Sequence, residues 1–254
     1  MSAGVVPVVT ARPLVAQLQA LLGALYPAGG GLVRIRSDDD ECRAVADGFR
    51  LLPTVLLRWL AYDPAAEARV ALASWGAADD ALQVAAVGAE LVLPMVFDRR
   101  EWQPDPAALD GAVARLSAFP LPVSALIDQA TGLAALWLLS EPARVDQRIQ
   151  ALQAALAQAV GGRTGRVKER VPQRTGRRPG EAVAVVEMEA TDPRRFWLRL
   201  PGSHNFEKGG RGLVVQLVHA DPSVRYNITE LEAAIGGAER VLPKNQAPTR
   251  RKGA

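Results

Sequence analysis

The residues best placed to do chemistry lie in one run, Arg195-Phe-Trp-Leu-Arg-Leu-Pro-Gly-Ser-His-Asn-Phe-Glu-Lys208. An apolar, aromatic stretch that reads as a strand stops at Pro201-Gly202. Proline lacks a backbone donor and glycine tolerates positive φ, so the pair ends a strand sharply. Beyond it the chain presents Ser203, His204, Asn205 and Lys208. Polar groups just past a strand end are where a sheet meets its ligands. Arg199 is expected to project towards a phosphate, with Asn205 and Lys208 reaching phosphate or a base edge. Without a ligand, the same segment is a strand-ending turn whose Asn satisfies its own backbone.

A second chemical feature is charge. Seven basic residues, Arg163, Arg166, Lys168, Arg170, Arg174, Arg177 and Arg178, share one short stretch with a single acid, Glu169. Their net +6 is twice the +3 of the whole chain. The stretch has no aromatic residue, so it lacks the stacking platforms of single-strand binders. It is expected to attract phosphate without reading sequence. The acidic run Asp38, Asp39, Asp40 and Glu41 is a poor chelator on a helix, because adjacent helical side chains diverge. It reads instead as a helix start through Phe49, with acids favourably placed at the dipole. Gly29-Gly-Gly31 follows a helix and precedes a strand, the reverse of a phosphate cradle, and reads as a plain turn. The lone Cys42 excludes an intramolecular disulfide and a multi-thiolate zinc site, and two histidines exclude a His-rich centre.

The elements that must position these groups follow from periodicity. Leu14, Leu18, Leu21, Leu22 and Leu25 recur at helical spacing, and residues 32–36 alternate like a strand. Residues 68–75, 82–88 and 91–97 read as strands, 106–117 as a helix opened by Pro106, and 123–128 with 133–139 as a hairpin. An amphipathic helix reaches Val160 and stops at Gly161-Gly162. Further strands are expected at 195–200 and 213–218, then a helix with a Thr229-x-x-Glu232 capping box. The 49% apolar and 22% charged residues describe a globular chain. Strands and helices mix without regular βαβ alternation, so α+β is the expected class. No apolar run approaches the roughly 18–20 residues that cross a bilayer, and no secretory signal is read, so a cytoplasmic location is the expectation.

Four ordered motifs resemble the archaeo-eukaryotic primase superfamily, in particular its plasmid and phage primase–polymerases. Residues 195–208 are similar to its "R-L-P-G-T-x-N-x-K" signature. Gly31-Leu-Val-Arg-Ile-Arg36 is similar to its first strand. Residues 119–128 and 132–142 look like "P-x-P-S-x-I-V-x-S-G-x-G-x-H-x-Y-W-L-L-x-E-P", and Arg225-Tyr-Asn-Ile-Thr-Glu-Leu231 looks like "R-Y-x-x-x-E-L". The resemblance implies a mixed sheet flanked by helices in a single domain over 1–242. It has an α/β half to about residue 90 and an RNA-recognition-like half beyond it. The basic stretch would be an insertion loop at 161–180, and 243–254 a disordered basic tail.

The resemblance also implies where catalysis would reside, and the sequence departs from it there. Family enzymes pair two carboxylates in D-x-D, on one strand face, to hold two divalent cations about 3.5–4 Å apart. Here Met95-Val-Phe-Asp-Arg-Arg-Glu101 keeps Asp98, with Val96 and Arg100 two residues to either side. Glu101 is out of phase on a continuing strand unless a bulge intervenes. Ala134 stands at the motif histidine and Gln129 at the motif serine. Asp192 is either the third carboxylate or a turn residue opening Asp-Pro. Arg199, His204, Asn205 and Lys208 remain as nucleotide- and phosphate-binding candidates. The expectation is a nucleic-acid-binding protein, with DNA the favoured partner, impaired as a catalyst, in replication or maintenance of a plasmid, phage or integrated element. One rival is an active primase or polymerase, with Asp98, Glu101 and Asp192 holding Mg or Mn. Another is a structural subunit, either a homodimer or the support of a catalytic protein partner.

Overall fold

The computed structural model describes residues 11–27, 31–37, 40–45, 47, 51, 68–75, 81–98, 101–173, 182–205 and 213–241. Its organising element comes from residues 133–139, which are apolar at every position. A strand that is apolar on both faces requires a layer against each. These residues belong to β8 (Gly132–Arg144), buried without interruption from 132 to 139. Ala134, Leu136 and Leu138 enter one core with Leu18, Leu21, Leu22 and Leu25 of helix α1 (Ala11–Leu25). Ala135, Trp137 and Leu139 enter a second core on the other face. That core is closed by α2 (Pro106–Ala118), α3 (Gln147–Ala159) and α4 (Ile228–Val241).

Among the described residues the sheet has nine strands. Its path runs from β14 (Gln216–Ala220) through β7 (Ala125–Asp128), β8, β4 (Leu82–Val92), β3 (Arg69–Trp75) and β1 (Leu32–Ser37) to β2 (Asp40–Val45). Off this path, β11 (Trp197–Arg199) pairs with β3, and β15 (Arg225–Tyr226) pairs with β8. Only β15 runs parallel to its partner among these pairs, so the sheet is mixed. One edge of β3 is shared: Ala73, Ser74 and Trp75 pair with β4, while Arg69, Val70 and Ala71 pair with β11. Where β4 diverges, Gly88 lets the Phe196 ring approach; a Cβ there would stand 2.8 Å from Phe196 Cζ. The α+β class and the sheet flanked by helices are as the sequence led one to expect.

Several local expectations are corrected. Residues 40–45 form strand β2 rather than a helix. Cys42 and Ala44 stand opposite Ile35 and Val33, so period-two alternation and pairing with β1 override the acidic helix-start signal. The strand expected at 91–97 breaks: β4 ends at Val92, and a separate hairpin of β5 (Met95–Asp98) and β6 (Glu101–Pro104) follows. The stretch expected as a loop at 161–180 begins a second hairpin, β9 (Arg166–Gln173) with β10 (Ala182–Glu189). The capping box of α4 is formed by Asn227 and Glu230, not Thr229 and Glu232. Glu230 N donates to Asn227 Oδ1 at 2.9 Å, and Asn227 N donates to Glu230 Oε2 at 2.8 Å. Glu232 instead pairs with Arg148 at 2.7 Å across α3 and α4, and that guanidinium holds its carboxyl below the usual range. The expected tail at 243–254 lies outside the described residues.

Candidate nucleic-acid and metal site

The signature segment is built as strand, turn and return. β11 ends in Leu200-Pro201, and Gly202 takes φ +92°, which a side chain would oppose. The chain then forms β12 (His204–Asn205), paired with β13 (Leu213–Val214). The turn is held from both sides: Gly202 N donates to Val215 O at 2.9 Å, and Ser203 Oγ donates to Leu200 O at 2.7 Å. Ser203 is fully buried, and half-buried His204 stands opposite Val214.

Asn205 does something the sequence did not disclose. Its amide donates to Gln129 O at 2.7 Å and to Thr131 Oγ1 at 3.0 Å, in the β7–β8 turn. Arg199 N donates to Gln129 Oε1 at 3.4 Å from the same side. The loop therefore clasps a turn more than seventy residues away in sequence, with Arg199 and Asn205 each 3% exposed. Asn205→Ala would leave a buried carbonyl without this donor, and a loss of about 1–3 kcal/mol is expected in urea denaturation. A change below about 0.3 kcal/mol would mean that the clasp contributes nothing.

The clasped turn carries its own strain and charge. Asp128 Oδ1 accepts from Ala130 N at 2.7 Å, and Ala130 adopts φ +66°. Burial pushes the Asp128 carboxyl above its usual range, against the Ala130 N–H bond that lowers it. Ala134, at the position of the motif histidine, is fully buried in the α1-side core. No residue from 132 to 139 opens to a cleft.

The three candidate carboxylates fall in two places. Register sets Asp98 directly opposite Glu101 across the β5–β6 hairpin, so the chain turns back where a continuing strand was expected. Asp192 instead caps the 3-10 turn Pro193–Arg195, accepting from Arg194 N at 2.9 Å. Its two oxygens also meet the Arg194 guanidinium, the closest contact being Nη2–Oδ2 at 2.5 Å. Hydrogen bonding to Asp192 raises the Arg194 pKa further. That turn is held by α3, through Gln153 Nε2 donating to Thr191 O at 2.9 Å. It is also held by β1, through Arg34 Nη2 donating to Arg194 O. Among the described residues no three His, Cys, Asp or Glu side chains gather as a metal site. A carboxylate filled by a guanidinium does not fit the role of a divalent-ion ligand.

A row of arginines was not foreseen. Register places Arg36 of β1 opposite Arg69 of β3, and Arg69 opposite Arg199 of β11, with Glu41 at the far end opposite Arg36. Like charges directly opposite on adjacent strands destabilise a sheet. Beside the row, the Arg34 guanidinium lies 4.9 Å from the Trp197 ring and 5.7 Å from Trp75, a double cation–π contact. The alternation of Arg34 and Arg36 was visible in the sequence, but only strand register aligns Arg36 with Arg69 and Arg199.

The basic stretch is partly neutralised. Arg163 pairs with Glu90 at 3.6 Å, and Arg166 with Glu189 at 3.2 Å. Lys168 stands opposite Glu187, and Arg170 opposite Val185. Arg174, Arg177, Arg178 and Lys208 lie outside the described residues. Among those described, no helix is long and apolar enough to cross a membrane.

No family model and no curated protein sequence matches the chain. Solved structures do. The chain is similar to the primase–polymerase domain of cyanophage S-2L, at 16% identity and a TM-score of 0.50, over 87% of this chain and 97% of that one. It is also similar to the primase RepB′, at 10% identity and a TM-score of 0.53, covering 90% of this chain and 62% of that one. The catalytic domain of the same primase, in complex with initiator DNA, matches at 10% identity and a TM-score of 0.52, over 90% and 94% of the two chains. With its mixed sheet between α1 on one face and α2, α3 and α4 on the other, the chain has the fold of the archaeo-eukaryotic primases.

Proposed function

We infer that this is a nucleic-acid-binding protein with weakened chemistry of its own, acting in the cytoplasm in replication or maintenance of a plasmid, phage or integrated element. The observation that carries the reading is the row Arg36, Arg69 and Arg199, which runs into the signature loop, in a chain whose Asp192 is paired with a guanidinium and whose Ala134 is buried. Adjacent strands are about 4.8 Å apart, so the three strand positions of the row span roughly 10 Å, a length that matches a run of phosphates. One structural neighbour is described with initiator DNA, which supports DNA as the partner here. Arg163, Arg166, Lys168, Arg170, Arg174, Arg177 and Arg178 would add phosphate attraction.

Binding to an oligonucleotide across a salt series tests the reading. Affinity is expected to fall steeply as salt rises, and Arg69→Gln to make the slope shallower by about one. No template-directed nucleotide incorporation is expected with Mg or Mn. An active primase or polymerase is the second reading, favoured by the register of Asp98 with Glu101. Incorporation that Asp98→Ala abolishes would establish it, with Mg or Mn at that pair supplying Lewis-acid chemistry. Absence of binding at low salt would leave the structural-subunit reading in its place.

A further inference from the structure

The Asp192 side chain is kept from water, at 8% exposure, while its partner Arg194 is 52% exposed. A carboxylate at such a depth needs a cation or a set of donors beside it. One residue supplies both. Asp192 Oδ1 accepts from Arg194 N and from Arg194 Nε, each at 2.9 Å, and Oδ2 accepts from Nε at 3.0 Å and from Nη2. The backbone around the carboxylate is fixed as well. Asp192 N donates to Glu189 O at 3.1 Å, Arg195 N donates to Asp192 O at 2.9 Å, and fully buried Gln153 holds the preceding carbonyl. The guanidinium is therefore gripped along its Nε–Nη2 edge. A guanidinium carries five donors, and no described residue accepts from Nη1. The turn also sits against the arginine-bearing strand. Arg34 Nη2 donates to Arg194 O, and Val33 and Ile35 enter the α1-side core, so Arg34 and Arg36 share the opposite face of β1.

We propose that Arg194, gripped by Asp192, is a metal-independent phosphate-binding fork, taking a phosphate of a nucleic-acid strand or of a nucleoside triphosphate. The proposal rests on the phosphate reading above and adds a residue and a mode of binding. The planar guanidinium matches two phosphate oxygens, and arginine is less strongly hydrated than lysine. A loose arginine gives up about 2 kcal/mol of rotamer freedom when it is fixed. Arg194 has surrendered much of that on folding, so less is lost when the phosphate arrives. A divalent ion at Asp192 would have to evict this guanidinium from a buried carboxylate. The pair itself sums to zero charge, so long-range attraction comes from the neighbouring arginines and the fork acts at contact. Charge alone therefore says that neutralising Asp192 tightens polyanion binding. Loss of the grip says that it weakens it.

The test uses the full chain in EDTA, with fluorescein-labelled oligo-dT read by anisotropy and thymidine triphosphate read by calorimetry. Arg194→Gln is expected to weaken binding roughly tenfold. On oligo-dT its slope against salt becomes shallower by about 0.7, the share of one single-strand phosphate. Arg194→Lys keeps the slope and loses affinity, because it has the charge without the fork. Asp192→Asn, which retains a cap for Arg194 N, is expected to weaken binding about 2- to 10-fold and to add nothing on top of Arg194→Gln. Cooperative melting well above the assay temperature shows that each variant is folded. Arg194→Gln, at an exposed position, decides alone should Asp192→Asn unfold. A loss confined to oligo-dT assigns a backbone phosphate, and a loss confined to the triphosphate assigns a nucleotide; either supports the fork. Tighter binding by Asp192→Asn overturns it. So does binding that requires Mn and is lost in Asp192→Asn but kept in Arg194→Gln. A wild type that binds neither probe removes the phosphate reading together with the fork. A wild type that binds while Arg194→Gln binds equally removes the fork alone.

Discussion

Gly132→Ala is expected to lower stability by more than about 3 kcal/mol, and the melting temperature by roughly 10 °C for a chain of this size. A Cβ at Gly132 would overlap the Leu91 carbonyl oxygen and lie 3.1 Å from both Leu91 C and Val92 Cα. All three are backbone atoms of β4, so no rotamer change relieves the overlap. The strands would have to separate at the end of the β4–β8 ladder, whose register runs from Gln83–Arg144 to Val92–Gly132. The same separation would disturb the turn at 129–131 that anchors Asn205, so the signature loop should loosen with it. Gly111→Ala in α2 is the control. Its nearest neighbour would be Arg115 Nη1 at 3.6 Å, and a gain of about 0.5–1 kcal/mol is expected from helix propensity. Circular dichroism melts of the two variants decide the matter: a Gly132→Ala midpoint within about 2 °C of wild type would rule out the close approach.

Trp137→Ala is expected to cost about 3–5 kcal/mol. The side chain is completely buried at the centre of the α2–α4 core. Its ring meets Phe119 edge-on at 5.4 Å between centroids, and Nε1 donates to Leu121 O at 3.1 Å. Truncation removes the contact area, leaves a cavity between β8 and the helix layer, and strips a carbonyl of its donor. Trp137→Phe should cost less, because it keeps most of the ring contact and loses the hydrogen bond. Urea denaturation with unchanged m-values measures both. A Trp137→Ala loss below about 1 kcal/mol would mean that the two helix-side layers hold without this side chain.

Some structure was legible because its cause is local. The apolar run at 133–139 announced a strand, and the two opposed cores in the structure lie on its two faces. Pro106, and the amphipathic spacing of Ile149, Leu152 and Leu156, announced α2 and α3. The Pro201-Gly202 stop was equally plain, since a positive φ at Gly202 depends on two residues. The site was less legible. Ser203 and Asn205 read as groups offered to a ligand, yet both are buried in bonds to the chain itself. A polar side chain in a loop looks the same in sequence whether its partner is solvent, ligand or a distant carbonyl.

By itself, the sequence determined the class of fold, the strand at 133–139, most helices and the position of the signature turn. Those depend on periodicity, end signals and burial demand within a dozen residues or so. Only the tertiary structure decided that residues 40–45 pair with β1, that Asp98 falls opposite Glu101 in register, and that Arg36, Arg69 and Arg199 stand in line. Register and long-range pairing are set by which strands become neighbours, and a one-residue slip would move each of these side chains to the opposite face. Charge alignment across strands is therefore a property of the assembled sheet and not of any one of its segments.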